Sequence, residues 1–189
     1  MNPIVKQNGM KFGGIIAIIS IVYYLLAYVM DESLFVTPYQ WLLRIGYLVL
    51  LIIGVTQARK AMGGYISFRD AFATYMVGAL INILATFVIT SLLYYVVDPE
   101  LPERIKDLSI QQAVDMAESF GAPPEQIDQI IEKSEEQAAE RMGFTSQLMG
   151  VAFSIVGNAI LALIIAAFFK KVPPAVIVES EPADSGEEQ

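Results

Sequence analysis

Residues 72–97 of this chain read FATYMVGALINILATFVITSLLYYVV, and residues 147–169 read QLMGVAFSIVGNAILALIIAAFF, two apolar stretches without a charged side chain. Each is long enough to cross the hydrocarbon core of a bilayer, which takes about 20 helical residues. Two further apolar stretches occupy residues 12–30 and 41–58. The first of these has no small-residue cleavage site at its end, so we interpret it as a retained helix rather than a secretory signal. The sequence therefore predicts four membrane-spanning helices.

Small or hydrogen-bonding residues recur every four positions in spans 3 and 4. They are Thr74, Gly78, Asn82, Thr86 and Thr90 in the third span, and Ser146, Gly150, Ser154, Asn158, Ala162 and Ala166 in and just before the fourth. Membrane helices associate through close backbone approach and side-chain hydrogen bonds, because lipid tails compete for apolar contact. We therefore predict that the two spans run antiparallel and pack along a seam. The seam residues are Gly78, Asn82, Thr86, Gly150, Ser154 and Asn158.

The two asparagines lie level with each other in this arrangement, each about 15 Å from the inner end of its span. An amide in hydrocarbon needs a hydrogen-bonding partner, so we expect Asn82 and Asn158 to face each other across the seam. The alternative is a polar path for a substrate or ion, lined by these two residues with Thr86, Thr90 and Ser154. Neither span carries an acid or a lysine, so a proton relay has no obvious carrier.

Composition removes most catalytic chemistry. The 189 residues are 55% hydrophobic and include no Cys and no His, which argues against thiolate nucleophiles, imidazole catalysis and the usual zinc sites. We predict a non-enzymatic membrane protein with no cofactor and no metal; a lipid enzyme using carboxylates from outside the spans is the least favoured alternative. The net charge of −8 also argues against nucleic acid as a partner.

Residues 98–145, between spans 3 and 4, change to a charged, amphipathic pattern. The sequence SIQQ from Ser109 is a capping-box pattern predicting the start of one helix, and Pro124 opens a second. We expect an extracytoplasmic hairpin that packs on itself or on the membrane, or that docks another protein. After the membrane domain, residues 1–171, the acidic residues 172–189 predict a disordered tail.

Trp41 and Arg44 begin the second span. An arginine one turn inside a span is tolerated when its stem extends to the surface, so we interpret the pair as an interface anchor. A role for Arg44 in a pathway or in binding a lipid head group is the alternative. Asp31 or Glu32 is its candidate ionic partner.

The distribution of basic residues predicts the orientation. The side with both termini carries Lys6, Lys11, Arg59, Lys60, Arg69, Lys170 and Lys171, whereas the other side carries fewer. Because Lys and Arg near span ends favour the cytoplasm, both termini should be cytoplasmic and residues 98–145 periplasmic, in an inner membrane.

The order of these parts resembles a known family. The quoted motifs are Gly63-Gly64-Tyr65-Ile66-Ser67-Phe68 before the third span, Tyr94-Tyr95-Val96-Val97-Asp98-Pro99-Glu100 after it, and Ala166-Ala167-Phe168-Phe169-Lys170-Lys171 after the fourth. With the acidic helical insertion, they resemble the bacterial membrane-protein family catalogued as domain of unknown function 4199, over roughly residues 5–171. The resemblance implies a four-span inner-membrane protein and brings no catalytic residues.

We therefore expect an all-α, four-span bundle that acts as a structural or accessory component, with the lipid bilayer and, through residues 98–145, another membrane or periplasmic protein as partners. A small transporter or channel subunit with a polar path along spans 3 and 4 is the alternative. A water-accessible cavity reaching Asn82 and Asn158 would favour transport, and dry helix contact would favour the structural role. The sequence does not predict an oligomeric state.

Overall fold

A computed structural model describes residues 1–37, 39–141 and 144–171, with side chains for all of these except Tyr39 and residues 137–141. The described residues form α1 (Pro3–Met30), α2 (Tyr39–Ala61), α3 (Phe68–Leu92), α4 (Leu101–Ser119), α5 (Pro124–Arg141) and α6 (Phe144–Phe169). A 3₁₀ turn, Glu32–Phe35, leads into α2, and a π-helical turn, Leu93–Val97, extends α3. Helices α1, α2, extended α3 and α6 are long and apolar enough to cross a membrane. The predicted all-α four-span bundle is confirmed; the predicted tail, residues 172–189, lies outside the described part.

Helix α3 lies at the centre of the bundle. It packs most extensively against α1, then against α6 and α2, whereas α2 and α6 scarcely touch. The start of α1 and the end of α6 lie at one end of the bundle, the terminal end. The opposite end, which carries α4 and α5, is the hairpin end. Helices α3 and α6 are antiparallel neighbours, as their stripes predict.

The closest helix contact is between α1 and α3. A Cβ atom added to Gly13 would lie 2.7 Å from the Cα of Gly78, and one added to Gly9 would lie 2.8 Å from the Cβ of Val77. Such distances leave no room for a side chain, so the glycines are what lets the two backbones approach. Gly78 therefore packs against α1, not in the predicted seam with α6.

Helix α1 begins earlier than the predicted start at Phe12. The side-chain Oδ1 of Asn2 accepts a hydrogen bond from the backbone N–H of Ile4 at 2.9 Å, and Pro3 occupies the first turn. A capping asparagine followed by proline is a strong helix start. The early start is what brings Gly9 into the helix and against α3.

A continuous apolar core closes the terminal end. It includes Val55 and Ala58 of α2 and Ala162 and Ala166 of α6, all of which are buried. Beside this core, Ile66 and Lys171 exchange backbone N–H···O bonds of 2.9 Å in both directions. The loop before α3 is thus joined directly to the end of α6.

The hairpin end differs from the prediction at α4. This helix begins at Leu101, which is fully buried, and not at Ser109. Ser109 lies inside the helix, where its Oγ donates to the backbone carbonyl of Ile105 at 2.7 Å. A serine hydroxyl can bond to the preceding turn as readily as it caps one, so the capping-box pattern was misleading here. The predicted start of α5 at Pro124 agrees with the structure.

Candidate functional site

A cleft of about 810 Å³ lies between α2 and α6. The two helices form its walls, and α3 with the outer half of α1 forms its floor. On α2 the lining runs from Gln40 to Leu51, and on α6 it runs from Gln147 to Leu161. Closer to the terminal end the apolar core fills the space between the helices. The cleft is therefore closed at the terminal end.

The cleft brings together every residue of the polar path considered from the sequence. Asn82, Thr86 and Thr90 line it from α3, and Ser154 and Asn158 line it from α6. The stripes thus predicted which residues share a space, and that space is a cleft.

The two asparagines bond to different partners. Asn82 Oδ1 accepts a hydrogen bond from Ser20 Oγ of α1 at 2.7 Å. Asn158 Oδ1 accepts one from the Tyr75 hydroxyl at 3.3 Å, and its Nδ2 donates to the Ser154 carbonyl at 2.9 Å. The predicted Asn82–Asn158 bond is wrong, because the contact of Gly78 with α1 turns that face of α3 towards Ser20.

The α6 wall of the cleft is made of small residues with open space in front of them. A Cβ added to Gly150 or Gly157 would meet nothing within 4 Å, and Ser154 between them is exposed. Gly150 and Ser154 were predicted to pack tightly against α3. The structure instead places them in the lining of the cleft, with open space in front of them.

Gln147 fastens the first turn of α6 to α3. Its Nε2 donates to Thr90 Oγ1 at 2.8 Å, and its Oε1 accepts from Ser91 Oγ at 3.1 Å. The ring of Phe144 packs beside those of Phe87 and Tyr95, at centroid distances of 6.0 and 5.9 Å. These contacts close the α3–α6 side of the cleft, and we infer that its opening lies between the first turns of α2 and α6.

Arg44 lines the cleft near this opening. It lies five residues into α2, which is about 7 Å along the helix axis. Its guanidinium carbon is 5.1 Å from the centroid of the Trp41 ring, a cation–π distance. Within the described residues Arg44 forms no ion pair, and Glu32, a partner considered from the sequence, is bonded to Arg104. Trp41, 66% exposed, fits the predicted interface anchor, which stays a prediction.

An ionic cluster outside the spans secures α4 to the bundle. Arg104 donates to Glu32 at 2.7 Å and to Asp98 at 2.6 Å. The hydrogen bond from Arg104 holds the pKa of the Asp98 carboxyl below its ordinary value, and the two carboxylates raise the pKa of Arg104. The cluster positions the hairpin and does not line the cleft.

The hairpin itself shows less that points to a ligand or partner. Helix α5 packs mainly on α4, and Phe120 at the tip is 85% exposed. Docking of another protein on residues 98–145 stays a prediction. Over the described part of the chain, no three acidic side chains come close enough together to hold a metal ion.

Three residues that contribute to the cleft, one each on α1, α3 and α6, were not predicted from the sequence. Ser20, Tyr75 and Gln147 each bond to a predicted polar residue. One signal was present: Gly9, Gly13 and Ala17 repeat at the four-residue spacing that was recognised in the other two helices. Matching that stripe to Gly78 would have placed α1 against α3.

Comparison with known proteins agrees with the resemblance drawn from the motifs. A family model described as "Protein of unknown function (DUF4199)" matches residues 11–171. No curated protein and no solved structure matches the chain.

Proposed function

We propose that this chain, which belongs to the DUF4199 family of proteins of unknown function, binds a small molecule in the cleft. In this role it is the binding component of a transport or sensing process in the inner membrane. The observation that carries the proposal is the cleft itself, which gathers polar residues from two spans around one space. Its volume of about 810 Å³ lies within the range of small-molecule sites.

The closed terminal end favours a binding site over an open channel. Val55 and Ala58 belong with Ala162 and Ala166 to a continuous apolar core at that end, and buried apolar packing gives an ion or polar solute no hydrogen-bonding partner. A molecule held in the cleft can reach it from the hairpin end or from the side. Any passage to the terminal end requires a second arrangement of the helices.

The proposed orientation follows from the charges. Because most basic residues lie at the terminal end, we place that end in the cytoplasm and the hairpin in the periplasm. The cleft then opens towards the periplasm. The absence of Cys and His from the sequence supports binding rather than catalysis.

Cysteine accessibility tests the cleft directly, because the natural chain contains no cysteine to give background. Ser154→Cys and Gly157→Cys place a thiol in the cleft, whereas Phe153→Cys places one on the outer surface of α6, where Phe153 is 72% exposed. A water-soluble methanethiosulfonate reacts with the thiolate, which forms only in water. We expect labelling at 154 and 157 and little at 153, in intact cells.

Denatured samples of the same variants control for expression, since all three thiols should then react equally. Failure of both cleft thiols to react in the native protein would reject a water-accessible cleft. Equal reaction of the lipid-facing thiol at 153 would also reject it, because labelling would then not depend on the cleft.

A further inference from the structure

We propose that the ligand is an anionic single-chain amphiphile of the fatty-acid type, with its carboxylate at Arg44 and its chain in the cleft. This inference rests on the proposed function and names the class of molecule that the same cleft takes.

The charge of Arg44 is available to bind an anionic group. Arg44 lies about 7 Å along α2 from its first residue, its guanidinium stacks on Trp41, and it forms no ion pair within the described residues, so its charge is available to an anion. The neighbouring acids are engaged, since Glu32 and Asp98 both bind Arg104 and Asp31 accepts the backbone N–H of Ser33 at 2.9 Å. A carboxylate fits a guanidinium through two parallel hydrogen bonds.

Helix ends add little to this charge. Helices α2 and α6 begin beside the opening, and neither has an acid in its first turn. Helices α1 and α3 finish at the same end of the bundle, so their dipoles act in the opposite sense. Among the described residues that line the cleft, Arg44 is the charged side chain.

The deep part of the cleft suits an apolar chain. Several of its polar atoms already have partners within the protein: Asn82 Oδ1 accepts from Ser20, Asn158 Oδ1 accepts from Tyr75, and the Ser154 hydroxyl donates to the Gly150 carbonyl at 2.8 Å. Between these groups the lining is provided by residues such as Leu48, Leu51, Ile83 and Val151. A hydrocarbon chain gains from contact with these apolar side chains and needs no hydrogen-bonding partner.

The shape of the cleft allows a chain to reach it from the bilayer. Below Arg44 the lining of α2 continues to Leu51, which is about 10 Å of helix. Along this length α2 and α6 scarcely touch, and the wall around Gly150 and Gly157 is open. A longer chain can therefore lie partly in the cleft and extend sideways between the two helices into lipid.

Quenching of Trp41 fluorescence tests the proposal, because Trp41 is the sole tryptophan of the chain and lines the cleft. The full chain is placed in phosphatidylcholine nanodiscs and titrated with 5-doxylstearate. We expect saturable quenching that unlabelled stearate reverses and that neither methyl stearate nor acetate reverses. Arg44→Gln should weaken the apparent affinity about tenfold or more, the loss expected for a charge-assisted hydrogen bond. Lys60→Gln, at the other end of α2, should not.

A second pair of variants tests the cleft without changing charge. Gly157→Leu fills open space in the cleft and should abolish saturable quenching. Gly14→Leu also enters open space, but outside the cleft lining, and should bind like the natural chain.

Unchanged affinity in Arg44→Gln, or in Gly157→Leu, would overturn the proposal. Competition by methyl stearate as strong as by stearate would show simple partitioning into lipid, and competition by acetate would show a soluble anion; either result overturns it. Loss of stearate binding in discs containing phosphatidylglycerol would assign the site to a two-chain lipid and overturn the single-chain assignment. If the cleft thiols at 154 and 157 react while stearate fails, the ligand class is wrong and the proposed function stands.

Discussion

Single glycines determine which helices meet. Gly13 and Gly14 are adjacent in α1, yet a Cβ on the first would collide with the backbone of Gly78 and a Cβ on the second would meet nothing within 4 Å. Spacing in sequence identified small residues on α3 and α6, but it did not show which neighbour each one faces. A stripe on a helix predicts a contact face, and choosing among three partner helices requires the depths and matching stripes of all of them.

Gly13→Ala should destabilise the bundle by about 1–3 kcal/mol, because the added methyl group is forced against backbone that cannot move away. Gly14→Ala is the matched control and should be neutral or slightly stabilising, since alanine favours helix over glycine. Thermal unfolding of the detergent-solubilised variants measures the difference. Equal midpoints for the two variants would contradict the close approach of α1 and α3.

The sequence predicted a helix in the region of α4 but did not predict how α4 is held to the bundle. The amphipathic pattern gave two helices between spans 3 and 4, but the start of α4 depends on Leu101 and Arg104, which contact residues far away in sequence. Glu32 is in the turn after α1, and no local pattern connects it to Arg104. The spacing of hydrophobic residues along a helix does not predict an ion pair between residues that lie far apart in the sequence.

The ionic cluster predicts how α4 responds to acid. The pKa of Asp98 is lowered in the folded protein by the hydrogen bond from Arg104, so its contribution to docking is present above the ordinary carboxyl pKa and is lost as the pH falls through the lowered value. Protection of the α4 amides from hydrogen exchange, corrected for intrinsic rates, should be steady from pH 8 to about pH 5 and decrease below about pH 4.

Asp98→Asn should lower this protection at neutral pH and flatten its decrease in acid. Glu103→Gln is the control, because Glu103 pairs with Lys106 on the surface of the same helix at 3.2 Å. Steady protection throughout the acid range, together with an unaffected Asn variant, would show that the cluster does not hold α4.

At the scale of the whole molecule, the number and order of the spans followed from apolar length alone, and the structure confirms them. The cleft did not follow from length. It exists because α2 and α6 both pack on α3 without packing on each other, a consequence of how side-chain sizes on four helices combine. The polar residues of the alternative path, such as Asn82 and Asn158, were nonetheless identified correctly as sharing one space.

The proposed orientation makes a prediction for the complete bundle. Reporter fusions at Gly121, in the hairpin turn, and after Lys171 should lie on opposite sides of the membrane. A periplasmic phosphatase should be active at Gly121 and inactive after Lys171, and a cytoplasmic fluorescent reporter should show the reverse. Activity of the phosphatase at both positions, or at neither, would contradict the single span, α6, that separates Gly121 from Lys171.

The paired backbone hydrogen bonds between Ile66 and Lys171 attach the end of α6 to the loop before α3. The other end of α6 is held by the bonds of Gln147 to Thr90 and Ser91 of α3. Because α6 is attached at both ends whereas α2 has few contacts with α6, we expect any change in the width of the cleft to come from displacement of α2.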